Sequence, residues 1–420
     1  MLLRLDFWLR SQYFFSSEIR ENDNSGFNLR TISMLKNRNL LIIALIAMVN
    51  MLGYGIIIPL LYGYSKKFGL SDFENGLLFA SFSICQFIAT PIIGRLSDRY
   101  GRRPMLLVSI AGTAVSFFMM AFAPNVLFLF LARMLDGFTA GNIPVAFAVI
   151  SDSTKPEDRA GAFGLIGAAF SFGFIFGPAV ASFTVGLHQS LPFIIAGVIT
   201  VIAAVITAAY LPETNPHIGQ VKHDRLFDFK KMWTMLYDPN VGATFLISLF
   251  FILAFSCAII YGFQPFTLNV LKLTQSQNAL LFTLFGIIGL ITQTFLVGRI
   301  TKTFGMKRAF ESSIFFVAIS FIVMYFSHSV GVFVAAMVFL ALFNNVVQTL
   351  IPTILSREAD ARAQGAMMGL NASYQSIGMV VGPIVGGAVA TVSTPLPFAL
   401  GSVLIFICFF LSPRVLRPKV

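Results

Sequence analysis

Twelve apolar runs, each about as long as a bilayer is thick, constrain this chain more than any other feature. A spanning helix takes about 20 mostly apolar residues. Runs of that kind lie at 40–62, 74–94, 105–123, 125–151, 161–185, 190–211, 240–268, 276–298, 309–327, 330–355, 363–391 and 395–413. Charged residues make up only 11% of the 420 positions, against 57% hydrophobic; a soluble domain carries about 25% charged residues. A soluble enzyme does not fit that balance, and neither does disorder, which needs the opposite one. The expected fold class is an all-α membrane protein of twelve transmembrane helices.

Basic residues orient the chain. Cytoplasmic loops carry an excess of Lys and Arg. With the N-terminus inside, the inner segments hold 25 of the 29 Lys and Arg; the outer loops hold only Lys66, Lys67 and Lys272, and Arg133 lies within a span. This asymmetry predicts a multi-pass protein with both termini cytoplasmic, and explains the net charge of +11 without nucleic acid as a partner. Cys85, Cys257 and Cys408 all fall in apolar runs without metal-ligand spacing, so core packing is expected of them rather than disulfides or a metal site. Residues 1–33 hold aromatics but no continuous apolar run of the kind a signal peptide needs.

The chain repeats itself. The polar stretch 212–239 separates two parts of similar length, 40–211 and 240–413, flanked by an N-terminal cytoplasmic segment 1–39 and a tail 414–420. Gly164, Gly173, Gly177 and Pro178 recur 205 residues later as Gly369, Gly378, Gly382 and Pro383. Gly94, Arg95 and Gly101 recur 204 residues later as Gly298, Arg299 and Gly305. Internal duplication builds many secondary transporters, with the substrate site where the repeats meet. Two pseudo-symmetric six-helix bundles are therefore expected.

Three motifs carry chemistry. The first, Gly94 to Pro104, places Asp98, Arg99, Arg102 and Arg103 around Gly94 and Gly101 at the inner end of the second span. A charge pair there is suited to latching helix bundles in one state and releasing them in another. A plain basic loop accounts for the arginines but not for the acid and the glycines. The second motif is the glycine–proline pattern of the fifth and eleventh spans, Gly164-x8-Gly173-x3-Gly177-Pro178 and Gly369-x8-Gly378-x3-Gly382-Pro383. Small residues at helical spacing allow backbone-to-backbone contact, which serves either a rocking seam or ordinary tight packing. The third is Arg133 and Asp136 in the fourth span, three residues apart and so on one helix face. An intramembrane charge costs roughly 2.5–3.5 kcal/mol on insertion scales and needs a partner or a wet cavity. Burial favours the neutral acid and a nearby Arg favours the carboxylate, so the pair reads either as a proton-coupling site or as a static ion pair.

Together these motifs, quoted as GRLSDRYGRRP, ARMLDGFTAGN and SDSTKPEDRAGAFG, resemble the major facilitator superfamily over 40–413, and within it the drug:proton antiporters close to the tetracycline-resistance-like efflux proteins. The resemblance implies alternating access by two six-helix bundles, driven by a proton gradient with no cofactor. It also implies a cavity lined by spans 1, 4, 7 and 10. The polar or aromatic residues there are Asn50, Tyr54, Asn142, Tyr261, Gln264, Asn344, Asn345 and Gln348, each equally suited to joining helices. There are departures: Ala181-Ser182 stand where the family often has two glycines, the second-half turn Gly298–Gly305 lacks an acid, and the first span lacks one too. The last counts against tetracycline itself. The expected function is proton-coupled export of small amphipathic organic compounds or drugs across a bacterial inner membrane by a monomer. The alternatives are an importer of a sugar or other metabolite, and a non-transporting receptor on the same scaffold. An enzyme is not expected, since no Walker A loop, metal cluster or nucleophile–base pair stands out.

Overall fold

The computed structural model describes residues 37–155, 158–216, 218–219, 229–359 and 364–416. The expected N-terminal cytoplasmic segment up to residue 36, residues 217 and 220–228 of the polar stretch 212–239, and the tail beyond residue 416 lie outside the described residues. In hydrocarbon every backbone N–H and C=O must be satisfied internally, and the helix does this within one segment. Among the described residues, twelve helices are long and apolar enough to cross a membrane: α1 Arg38–Ile57, α2 Asp72–Tyr100, α3 Arg102–Ala121, α4 Val126–Ser153, α5 Gly161–Val185, α6 Leu191–Tyr210, α7 Gly242–Val270, α8 Gln275–Phe304, α9 Met306–Tyr325, α10 Val330–Glu358, α11 Gln364–Ala390 and α12 Leu396–Arg414.

Each helix matches one of the twelve apolar runs, and the boundaries shift for identifiable reasons. Helix α1 stops at Ile57, because Pro59 has no N–H to give the Gly55 carbonyl. Helix α2 continues to Tyr100, so most of the Gly94–Pro104 motif is helix and only Gly101 stands outside it. Gly101 has φ 105° and Gly305 has φ 78°. Each is the single residue between two helices, α2 and α3 in one case and α8 and α9 in the other. Positive φ with an extended ψ is open in practice to glycine alone, which is why this residue recurs in the repeat.

Two compact units emerge, one of residues up to Ile58 with Cys85–Leu226, the other of Pro59–Ile84 with Phe227 onward. The chain order 40–211 and 240–413 differs from this division at Pro59–Ile84, which packs with the second unit. In the first unit, Leu40, Ile43, Leu106, Ile110, Val149 and Ile166 join α1, α3, α4 and α5 in one buried core. Here α1 and α5 meet backbone to backbone. A Cβ at Gly177 would lie 2.5 Å from the Leu52 carbonyl oxygen and 2.9 Å from the Gly55 Cα; one at Gly173 would strike the Met48 carbonyl. In the second unit α11 meets α7 in the same manner: a Cβ at Gly378 would sit 2.9 Å from the Leu253 nitrogen, and one at Gly382 would overlap the Ser256 hydroxyl. Pro178 and Pro383 lie inside their helices. The first glycine of each motif behaves differently. Gly369 has open space where a side chain would go, and Gly164 is simply buried.

The seam yields a stability test. Gly177→Leu and Gly382→Leu are each expected to lower stability by about 1–3 kcal/mol, the usual cost of overpacking, whereas Gly369→Leu stays within about 0.5 kcal/mol as a surface change does. Thermal unfolding of the purified variants in detergent reads this directly, and equal midpoints for all three would remove the seam.

Candidate functional site

The motif at the α2–α3 junction is a network around Arg102. Arg102 sits one turn after Asp98, and the two form an ion pair. The same guanidinium donates from Nη1 to Ser97 Oγ at 2.8 Å and reaches Asp152 Oδ2 from Nε at 3.4 Å. Asp152 lies at the end of α4, so one arginine joins three helices. Its side chain is only 13% exposed, and those of Asp98 and Asp152 are about one-fifth exposed. That environment strengthens an ion pair relative to one on an open surface.

Arg103 takes a different partner from the one the spacing suggested. It donates from Nη2 to the Ala208 carbonyl at 2.6 Å, near the end of α6. The free N–H groups at the start of α3 are met by Glu213, whose carboxylate accepts from the Arg102 and Arg103 amides at 2.9 and 3.1 Å. A carboxylate at a helix N-terminus is favoured both as a cap and by the helix dipole. The Asp98 carbonyl accepts from the Gly219 amide at 3.0 Å and from Asn215 Nδ2 at 3.2 Å. Arg99 is not in the ion-pair network; its guanidinium lies over the Tyr100 ring, 5.3 Å from the centroid. Gly94 faces open space. All these contacts fall within the first compact unit.

The second unit repeats part of this design with other chemistry. Lys307 of α9 donates to the Pro413 carbonyl at 3.1 Å, an arrangement that matches Arg103 on Ala208 at offsets of 204 and 205 residues. Glu358 closes α10 much as Asp152 closes α4. Its carboxylate accepts from the Thr244 hydroxyl at 2.6 Å and from the Leu416 amide at 2.8 Å.

The intramembrane pair is buried as expected. Arg133 Nη1 lies 3.1 Å from Asp136 Oδ2, and the two side chains are 2% and 7% exposed. The Ser116 and Thr113 hydroxyls of α3 lie within hydrogen-bonding reach of Asp136. Thr113 also meets Thr139 of α4, oxygen to oxygen, at 3.2 Å. Just beyond, the regular helix of α4 pauses between Thr139 and Ile143. Gly141 sits at that pause because α2 presses on it: a Cβ there would lie 3.0 Å from the Thr90 Cα. Asn142 is 1% exposed and accepts from Asn50 Nδ2 of α1 at 3.0 Å. Tyr54, one turn after Asn50, lies in the neighbourhood of Arg133. The structure thus brings Asn50, Tyr54, Arg133, Asp136 and Asn142 into one polar region of the first unit.

The remaining residues expected in a cavity divide. Tyr261 and Gln264 are fully buried, and their polar ends are taken up by the segment that follows α1. Tyr261 Oη donates to the Asp72 carbonyl at 2.6 Å, and Gln264 Oε1 accepts from the Tyr62 amide at 3.1 Å. These bonds join α7 to that segment. In α10, Asn345 Nδ2 donates to the Ala341 carbonyl at 2.8 Å and its amide lies against Gly289 of α8. Asn344 is 5% exposed and its Oδ1 is buried without a hydrogen bond. Gln348 is half-buried. Sequence reading missed Ser116, Thr113 and Glu213 as partners, since nothing in residue spacing links α3 to α4 or α6 to α3. Asp152 carried the one available signal, an acid at a span end.

Comparison with known proteins agrees with this architecture. The family model described as Major Facilitator Superfamily matches residues 43–291 and 245–420. The chain is 31% identical over 371 residues to multidrug resistance protein 1 of Bacillus subtilis, covering 88% of this chain and 94% of that one. It is 28% identical to the class C tetracycline resistance protein of Escherichia coli, covering 89% of this chain and 96% of the relative. The quinolone resistance protein NorA of Staphylococcus aureus is 26% identical, covering 88% and 94%. Among solved structures, a bacterial homolog of the human lysosomal transporter Spinster superposes with a TM-score of 0.75 at 15% identity, covering 90% of this chain and 98% of that one. The human organic anion transporter MFSD10 superposes at 0.65 with 21% identity, covering 89% and 99%. On the matched family model and these relatives, the chain belongs to the Major Facilitator Superfamily.

Proposed function

We propose that this protein is a proton-coupled antiporter that exports small amphipathic organic compounds or drugs across the plasma membrane by alternating access. The observation that carries the reading is the buried Arg133–Asp136 pair in a chain whose relatives bear the names multidrug, tetracycline and quinolone resistance protein. A purely structural helix pair has little need of two charges in a span, since each adds an insertion cost. A coupling site needs an acid that can exist in two forms with different partners. Ionised, Asp136 is held by Arg133 and is within reach of the Ser116 and Thr113 hydroxyls. Protonated, it loses the attraction to Arg133, and the guanidinium is left to find other acceptors. That change of partners gives each protonation state its own preferred arrangement. A ligand that prefers one arrangement is then coupled to the proton by linkage.

The Asp98–Arg102–Asp152 network supplies a second element. It ties the ends of α2, α3 and α4 into a single body, so movement at this end is expected to be collective. The basic loops at this end support its assignment to the cytoplasmic side with both chain termini. The proton gradient is the energy source, and the protein acts as a monomer.

Proton-driven uptake into inside-out vesicles, over a panel of lipophilic cations and antibiotics, tests the reading. At least one compound is expected to accumulate and to be released by an uncoupler. Uptake insensitive to the uncoupler for every compound would remove proton coupling. Asp136→Asn is expected to abolish gradient-driven uptake while equilibrium exchange of the same compound persists. Wild-type coupling in that variant would place the proton elsewhere. Asp98→Asn is expected to slow turnover about tenfold, the effect of losing one charge-assisted hydrogen bond of about 1.5 kcal/mol, with the folded fraction unchanged. Normal turnover would reduce the Arg102 network to a structural one.

A further inference from the structure

The chain enters α7 through a short helix, Phe229–Met235. One side of it is held firmly to the second unit. Met232 is buried in a cluster with Val241, Phe245, Leu355 and Tyr374, and Met235 and Leu236 pack against the same cluster. The Tyr374 hydroxyl of α11 donates to the Met232 carbonyl at 2.5 Å. Leu236 lies so close to the start of α7 that a Cβ at Gly242 would overlap its carbonyl oxygen. Asp238, the only acid in 229–241, accepts from the Asn240 and Val241 amides at 2.8 and 3.2 Å. Its carboxylate is thereby engaged as the cap of α7.

The other side of the short helix is exposed. Lys230, Trp233, Thr234 and Tyr237 follow one another at i, i+3, i+4 and i+7, and all four are exposed, Trp233 at 65% and Tyr237 at 71%. That spacing places them on one face. The turn carries on past Met235, with the Tyr237 amide donating to the Thr234 carbonyl at 3.2 Å. The Trp233 and Tyr237 rings meet edge to face with centroids 5.7 Å apart. Such rings suit a membrane–water boundary, where their apolar bodies enter the bilayer and the indole N–H and phenol O–H stay among headgroups. The depth is right for this. Met232 shares its cluster with Phe245, in the first turn of α7, so the short helix lies beside the start of a span rather than away from it.

Charge at this end of the second unit specifies the kind of lipid. Glu358 accepts from the Thr244 hydroxyl and the Leu416 amide, which puts the start of α7, the close of α10 and the exit of α12 together. The bond from Lys307 to the Pro413 carbonyl adds the start of α9. Among the described residues of the second unit, Lys and Arg fall at this end except for Lys66, Lys67 and Lys272. A basic rim with aromatic side chains at the boundary is complementary to anionic headgroups.

We infer that Lys230, Trp233 and Tyr237 form a binding face for an anionic phospholipid, with the lysine ammonium donating to the headgroup phosphate and the two rings seated in the interface. The bilayer thereby holds the start of α7 at a set depth. The inference goes beyond transport and stands whether or not the protein moves a drug.

Trp233 itself is the probe. In the full-length chain Trp8→Phe leaves it as the only tryptophan. The protein is reconstituted in phosphatidylcholine vesicles that contain, at equal mole fraction, either phosphatidylglycerol or phosphatidylcholine brominated high on the acyl chains. Both leaflets carry the same mixture, so the direction of insertion does not affect the reading. Brominated phosphatidylglycerol is expected to quench Trp233 about fivefold more effectively than brominated phosphatidylcholine, the enrichment that one basic residue gives at an anionic surface. Adding Lys230→Gln is expected to bring the two lipids within about twofold of each other, and Lys230→Arg to keep the fivefold ratio, since it keeps the charge. Quenching of Trp233 by aqueous acrylamide but by neither brominated lipid overturns the contact with the bilayer. Equal quenching by the two lipids in the parent overturns recognition of the anionic headgroup. A ratio that survives Lys230→Gln, with the thermal midpoint unchanged, overturns this face as the site and gives the enrichment to the other basic residues at this end.

Discussion

The exclusion of water from the bilayer core is the constraint on which everything else here depends. It forces each apolar run into a helix, because no other local structure satisfies its backbone. It also removes most of the hydrophobic driving force between helices, leaving close packing and polar bonds to hold them. Both substitutes are visible. Gly173, Gly177, Gly378 and Gly382 bring backbones into contact where a side chain has no room. The hydroxyl and amide side chains of α1, α3, α4, α7 and α8 form the polar bonds. In such a medium a charge is expensive, so the few that remain within spans are worth interpreting.

Duplication shapes how those resources are distributed. The Gly101 and Gly305 turns share a backbone conformation. Arg103 and Lys307 each reach a carbonyl at the end of the sixth helix of their repeat. The charge chemistry, however, has diverged. The first repeat has Asp98 and Asp152 on Arg102, while the second has no acid in the corresponding turn and uses Glu358 to hold a hydroxyl and a backbone amide. The buried ion pair of α4 likewise has no counterpart of like charge in α10, where Asn344, Asn345 and Gln348 provide polarity without charge. The two repeats thus share a skeleton and divide the chemistry.

Much of this was legible in the residues. Apolar runs are local signals, and α-helices make their hydrogen bonds locally, so twelve spans could be read with errors mostly at their ends. Ion pairs between near neighbours in the chain were legible for the same reason: Arg133 with Asp136 within α4, and Asp98 with Arg102 across the Gly101 turn, lie only three and four residues apart. The glycine motifs were legible in part. Gly177 and Gly382 are at the contacts their spacing suggested, but Gly94 and Gly369 face open space, because spacing along a helix does not say which way the helix is turned.

Sequence by itself determined the fold class, the number of spans, the internal duplication and the presence of one buried charge pair, because each is written in local composition or in a repeat offset. Only the tertiary structure decided which residue answers which across helices. It assigned Asp152 to Arg102, Glu213 to the start of α3, Thr113 to Thr139, and the Tyr62–Asp72 segment to α7. It also tied Tyr261 and Gln264 to the segment that follows α1. The physical reason is that these bonds join positions from tens to about 200 residues apart, and their geometry depends on the rotation and depth of each helix. Those are set by the packing of all its neighbours and leave no mark in local spacing.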